Sequence, residues 1–199
     1  MFTCPTFFKN TSAKISATIL LLLTALQGCT AVAVVALTTG ASMATDRRSI
    51  GNQIDDQSIE VEAYNELTKN KAINDNTNLH IISVNGSVLI IGQAPNTYLR
   101  DQALKIINNI NGVVRVHNQI RLGNLTSITT RTNDVWLTSK VKSALFSSDE
   151  VKGNTIKVIT ENAEVFLMGL VSQKEAEIAV NITRNISGVN SVYKAFEYL

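Results

Sequence analysis

The chain has 199 residues, with 18 basic and 16 acidic side chains and a formal net charge of +2. That balance lacks the basic excess expected of a nucleic-acid binder. It holds two cysteines, Cys4 and Cys29, and two histidines, His80 and His117. Four such residues, widely spaced, do not form a cysteine–histidine metal motif.

In chain order, the first feature is an export signal. Lys9 and Lys14 flank the apolar stretch Ile19–Leu23, which is too short for a transmembrane helix. Directly after it stands Leu26-Gln27-Gly28-Cys29. A leucine three residues before a cysteine, at the end of a signal, resembles the lipobox of bacterial lipoproteins. The resemblance implies cleavage after residue 28, a diacylglycerol on the Cys29 sulfur and an acyl chain such as palmitate on its new amine. Loss of Lys9 and Lys14 would leave 16 basic and 16 acidic side chains, and no cysteine pair for an internal disulfide. Thr30 stands where an aspartate commonly retains such proteins in the inner membrane. Its presence implies the inner leaflet of the outer membrane, facing the periplasm. Residues 29–45 are small and uncharged, without amphipathic period, and read as a lipidated tether.

The remainder is an internal duplication. Asp56–Leu67 aligns with Asp134–Leu145, Asn85–Gly92 with Asn162–Gly169, and Gly112–His117 with Gly188–Tyr193. Each copy opens with a helix whose inner face is Ile59, Ala63 and Leu67, or Leu137, Val141 and Leu145, at i+4 spacing. Asp56, and Asn133 or Asp134, are candidate N-caps. A hairpin follows. Leu79–Val84 and Ser87–Ile91 flank Asn85-Gly86, while 156–160 and 164–168 flank a slightly longer turn, Glu161-Asn162-Ala163. Gly92 and Gly169 are expected to end the second strands. Second helices over 96–109 and 173–185 stop at Gly112 and Gly188, and last strands span 113–120 and 189–197.

The order α-β-β-α-β predicts an α/β (α+β) fold in each copy. It has a three-stranded mixed sheet, the second and third strands parallel, and two helices on one face. Domains of this size are marginal alone, so direct contact between the copies is expected. The boundaries read as signal 1–28, tether 29–45, copy one 46–122, linker 123–132 and copy two 133–199. Val88-Leu-Ile-Ile-Gly92 and Val165-Phe-Leu-Met-Gly169, each leading into a helix closed by Gly-Val, resemble the BON domain of bacterial envelope proteins. With the lipobox, the segment Thr45–Gly51 and the pair Asp55-Asp56, the whole mature chain is similar to the dual-BON outer-membrane lipoproteins.

No constellation predicts an enzyme or a cofactor. His80 and His117 lie in different predicted strands, Ser87 is turn punctuation, and Gly92 and Gly169 have no glycine-rich phosphate loop around them. Asp55-Asp56 and Asp149-Glu150 read as cap or loop charges.

The copies differ on their first helices. Copy one carries Glu60, Glu62 and Glu66. Copy two carries Lys140 and Lys142 beside Trp136, the only tryptophan, whose counterpart is Ser58. At about 100° per residue Trp136 falls on the flank of the core stripe, next to Lys140 and Ser143. Indole beside ammonium suits a lipid headgroup boundary; packing of Trp136 between the copies is the alternative. The resemblance implies that this helix binds anionic phospholipids such as phosphatidylglycerol and cardiolipin. It carries over Trp136 as the inserted anchor, Leu137 and Val141 as apolar contacts, with Leu137 partly available, and Lys140 and Lys142 as headgroup contacts. It further implies support of envelope integrity and enrichment at the division site. The competing expectation is a protein-interaction module docking an envelope or cell-wall-remodelling partner through the same helix.

Overall fold

Two reverse turns of matching backbone geometry organise residues 47–199, which are the residues the computed structural model describes. Asn85 and Gly86 have φ of 50° and 76°; Asn162 and Ala163 have φ of 53° and 62°. Two successive positive φ values give the tight turn whose twist matches a hairpin. The first joins β1 (Asn78–Val84) to β2 (Ser87–Ala94), the second β4 (Ile156–Glu161) to β5 (Glu164–Val171). The copy-two turn is therefore no longer than its counterpart. Glu161 already pairs with Glu164, as Val84 pairs with Ser87.

Helix α1 (Ile50–Lys69) precedes the first hairpin and is followed by a short α2 (Lys71–Asn76), which the sequence pattern did not announce. After the hairpin come α3 (Thr97–Asn108) and β3 (Arg115–Leu122). Copy two repeats the plan with α4 (Ile128–Phe146), a one-turn 3₁₀ helix (Gly153–Thr155), α5 (Gln173–Arg184) and β6 (Ser191–Tyr198). The sheets are ordered β1-β2-β3 and β4-β5-β6, with antiparallel hairpins and parallel β2–β3 and β5–β6. The mixed αββαβ plan is the one expected. Among the described residues no helix is long and apolar enough to cross a membrane. Residues 1–28, Cys29 and the tether 29–45 lie outside the described residues.

Three local expectations are corrected. Helices α1 and α4 begin one to two turns earlier than Asp56, Asn133 or Asp134, capped instead by Ser49 and Ser127, whose hydroxyls accept from Asn52 N and Thr130 N. The segment 123–132 is accordingly helical from Ile128 onward. Gly92 and Gly169 do not end their strands, which run on to Ala94 and Val171. They stand where a neighbouring backbone presses close: a Cβ on Gly92 would lie 1.8 Å from the Asn78 carbonyl oxygen, and one on Gly169 2.3 Å from that of Thr155.

The strand alternation then builds two kinds of core. Ile81, Val88 and Ile90 face Ile59, Ala63 and Leu67 of α1 and Leu99, Ala103 and Ile107 of α3. In copy two, Val158, Val165 and Leu167 face Val141 and Leu145 of α4 and Ala176 and Ala179 of α5. The opposite sheet faces meet each other: Ile82, Val84, Leu89 and Ile91 of copy one pack with Phe166 and Met168 of copy two. Each such buried side chain contributes about 1.5–3 kcal/mol. Phe166 also stacks on Tyr193, ring centroids 4.9 Å apart. Contact between the copies is thus a shared apolar layer, as the small size of each copy leads one to expect.

Candidate functional site

Helix α4 is held by its inner face. The Asp134 carboxylate, nearly buried, accepts from the turn amides of Asn162 and Ala163, each at 2.8 Å. Leu137, Val141 and Leu145 continue the stripe into the core. Leu137 is only 1% exposed and Val141 fully buried, so neither can touch a partner on this face. This corrects their assignment as contact residues. The same stripe that makes α4 a helix of this fold consumes both side chains.

The outer face is apolar to an unusual degree. Trp136 is 58% exposed, which removes the alternative of packing between the copies. Ile128 at 82%, Val135 and Phe146 are also well exposed. Ile128 and Phe146 are 18 residues apart, five whole turns, with Val135 about 20° off that line and the ridge about 27 Å long. The Lys140 ammonium sits 4.2 Å from the Trp136 ring centroid and donates to the Ser187 carbonyl at 3.2 Å. Lys142 is exposed on the other side of the ridge. Trp136 and Lys140 are therefore brought together on one flank of the ridge, with Lys142 about 160° from Lys140 around the helix. Ile128 falls in the segment that reads as linker, 123–132, so the ridge it forms with Val135 and Phe146 is not visible from a helix beginning at residue 133. The Ser127 cap and the i+7 step from Ile128 to Val135 were the available signal.

The two copies are also tied by charge. Glu161 accepts from Gln93 Nε2 at 2.7 Å and from the Thr126 hydroxyl, with His80 Nε2 at 3.4 Å. Burial pushes its pKa up, but hydrogen bonds from His80, Gln93 and Thr126 outweigh this and hold it below the usual range. Lys157 reaches Glu60 at 2.6 Å and the Ser83 carbonyl, and Glu197 accepts from Asn85 and Ser87. His80 is thus a structural contact of copy one with copy two.

Successive arginines ahead of α1 divide between the copies. Arg48 donates to the buried Asp56 at 2.8 Å, while Arg47 makes a bidentate pair with Glu175 at 2.6 and 2.7 Å. The Arg47 hydrogen bond dominates the Glu175 pKa; burial opposes it, Ser172 assists, and the result is about 2. Among the described residues no group of three His, Cys, Asp or Glu side chains is arranged to hold a metal ion.

The duplicated αββαβ architecture, with a basic-aromatic outer face on the second copy alone, defines a tandem two-domain module. The chain belongs to the BON domain family, whose model matches residues 55–124 and 133–199. It is 40% identical over 174 residues to the outer membrane lipoprotein DolP of Haemophilus influenzae, spanning 87% of this chain and 90% of that one. A 21 kDa hemolysin of Actinobacillus pleuropneumoniae is 37% identical over 154 residues, covering 77% and 79% of the two chains. Osmotically-inducible protein Y of Escherichia coli is 27% identical over 161 residues, 77% of each. This is a DolP-like protein with two BON copies, and the kinship supports an outer-membrane lipoprotein.

Proposed function

We propose that the chain is acylated at Cys29, faces the periplasm from the inner leaflet of the outer membrane, and binds anionic phospholipid through α4. In this reading the protein is not an enzyme and needs no cofactor. The observation that carries it is the exposed ridge Ile128–Val135–Trp136–Phe146 with Lys140 and Lys142 beside it. Trp136 inserts at the headgroup boundary, where an indole keeps its N–H wet and its rings apolar. The lysines supply roughly 1 kcal/mol each toward an anionic surface. Being point charges rather than planar forks, they favour negative lipid without fixing one headgroup, so phosphatidylglycerol and cardiolipin both serve. Acyl chains and helix together hold the module flat against the leaflet and support envelope integrity, with enrichment at the division site where anionic lipid gathers.

Trp136 is its own reporter. Its emission in the unlipidated chain, residues 30–199, should shift blue with phosphatidylglycerol or cardiolipin vesicles and not with neutral ones. Salt and Lys140→Glu should reverse the shift. No shift with any vesicle, from folded protein, rejects lipid binding by α4 and leaves the face to a protein partner.

A further inference from the structure

The counterpart of the α4 face on copy one is also exposed and also apolar, but its charge is reversed. On α1, Ile50, Ile54 and Val61 are each more than half exposed and fall within about 40° of one line along the helix. Ile50 occupies the position of Ile128, Glu62 that of Lys140, and Ser58 that of Trp136. Where copy two has indole and ammonium, copy one has an open cleft of about 490 Å3. Its lining includes Asp55, Ser58, Glu62, Asn111 and Gly112. In copy two the Lys140 ammonium closes on the carbonyl of Ser187, the counterpart of Asn111. A small serine in place of tryptophan and a carboxylate in place of an ammonium leave a hollow shaped for the side chains that the duplicate bears.

We propose that α4 of one molecule docks on α1 of a second copy of this chain. Trp136 enters the copy-one cleft and Lys140 meets Asp55 and Glu62. Among the ionisable groups lining the cleft, Asp56 is committed to Arg48 and the hairpin turn, so Asp55 and Glu62 carry the attraction. Beside the cleft, the apolar lines Ile50–Ile54–Val61 and Ile128–Val135–Phe146 offer two ridges that exclude water from the pair. The two faces are different surfaces of one molecule. The contact is therefore heterologous and leaves a free face at each end, so assembly proceeds beyond the dimer unless a ring closes. The contact uses the surface assigned above to lipid but does not depend on that assignment. If both hold, lipid and the second copy exclude each other at Trp136.

A charge exchange tests this. The unlipidated chain, residues 30–199, is followed by sedimentation velocity in vesicle-free buffer over a concentration series. Wild type should associate, and added salt should weaken it. Asp55→Lys/Glu62→Lys presents two basic faces, Lys140→Glu/Lys142→Glu two acidic ones. Each alone should associate on the order of ten-fold more weakly or worse, because like charges then oppose each other. Mixing the two variants re-creates both contacts and should restore association to within about three-fold of wild type. Circular dichroism confirms that each variant is folded. A wild type that stays monomeric at every concentration overturns the proposal. So does association that neither variant weakens, or a loss that mixing does not restore. Asp55→Lys/Glu62→Lys leaves α4 intact and should keep the vesicle-induced Trp136 shift. Failure of self-association and failure of lipid binding are therefore read separately.

Discussion

The two copies share a device and differ in what they display. In each, a buried aspartate on the first helix reaches across to the turn of its own hairpin. Asp56 accepts from the amides of Asn85 and Gly86 at 2.9 Å each, from Ser83 Oγ at 2.7 Å and from Arg48. Asp134 accepts from the two matching amides. The position of Ser83 is taken by Thr160, whose hydroxyl instead accepts from Thr138. The outer faces of the same helices keep an exposed apolar line but have diverged in charge and shape, acidic with a hollow in one, basic with a tryptophan in the other. Features that turn inward are common to both copies because folding requires them. The outward ones are free to specialise, which is why α4 and α1 are the surfaces to which function is assigned.

The largest effect that tests the shared device comes from removing its carboxylates. Asp56→Ala removes the carboxylate that pairs with the nearly buried Arg48 and strands two turn amides, a loss of about 3–5 kcal/mol. Asp134→Ala strands two amides without an arginine, at about 1–3 kcal/mol. Urea denaturation of both variants should rank them in that order. Equal losses would mean that Arg48 adds nothing and that the two anchors are interchangeable.

Next in size is the link between the copies through Arg47 and Glu175. Glu175 is the N3 residue of the capping box on α5, and its counterpart on α3 is the core residue Leu99. Copy one therefore has no equivalent pair. A folded-state pKa of about 2 lies below that of the unfolded carboxylate. The stabilisation is fully present above the unfolded value and is lost as pH falls toward 2. Arg47→Gln should cost about 1–2 kcal/mol near neutral pH. Denaturation curves of wild type and variant should stay a constant distance apart above about pH 5 and converge as the carboxylate protonates. A gap that persists undiminished at pH 2 would assign the loss to packing of the arginine stem rather than to the ion pair.

The periodic features were legible from residues alone. The i+4 stripes, the Asn-Gly turn, the duplication and the order of elements follow from local chemistry, and the described structure repeats them. What failed was of two kinds, contacts distant in sequence and local signals that were overridden. Asp56 and Asp134 look like N-caps because aspartate favours that position, yet their partners are the hairpin turns 28 to 30 residues downstream. Gly92 and Gly169 look like strand ends because glycine breaks strands, yet they are required where another backbone approaches. Leu137 and Val141 were assigned to the surface by resemblance although their own spacing placed them in the core. The serine caps at Ser49 and Ser127 were readable and were outweighed by the more conspicuous acids. Contacts distant in sequence decided the aspartate and glycine cases, and no local pattern encodes those.

The smallest expected effect sharpens the comparison at the turns themselves. Both hairpins need positive φ at two successive residues. Copy one meets the second with Gly86, copy two with Ala163 at φ of 62°. An alanine held there carries strain on the order of 1 kcal/mol, part of which a glycine returns as unfolded-state entropy. Ala163→Gly should therefore raise stability by about 0.5 kcal/mol, read as a higher urea midpoint at unchanged slope. The reverse change in copy one cannot be neutral, because a Cβ on Gly86 would lie 2.6 Å from the Gly112 carbonyl oxygen. Ala163 already carries its Cβ at the matching position. If Ala163→Gly proves destabilising, the turn is held by its amides to Asp134 more tightly than by its own conformational preference. Since an aspartate anchors both turns, the copies would then differ only in the residue that the second turn position carries.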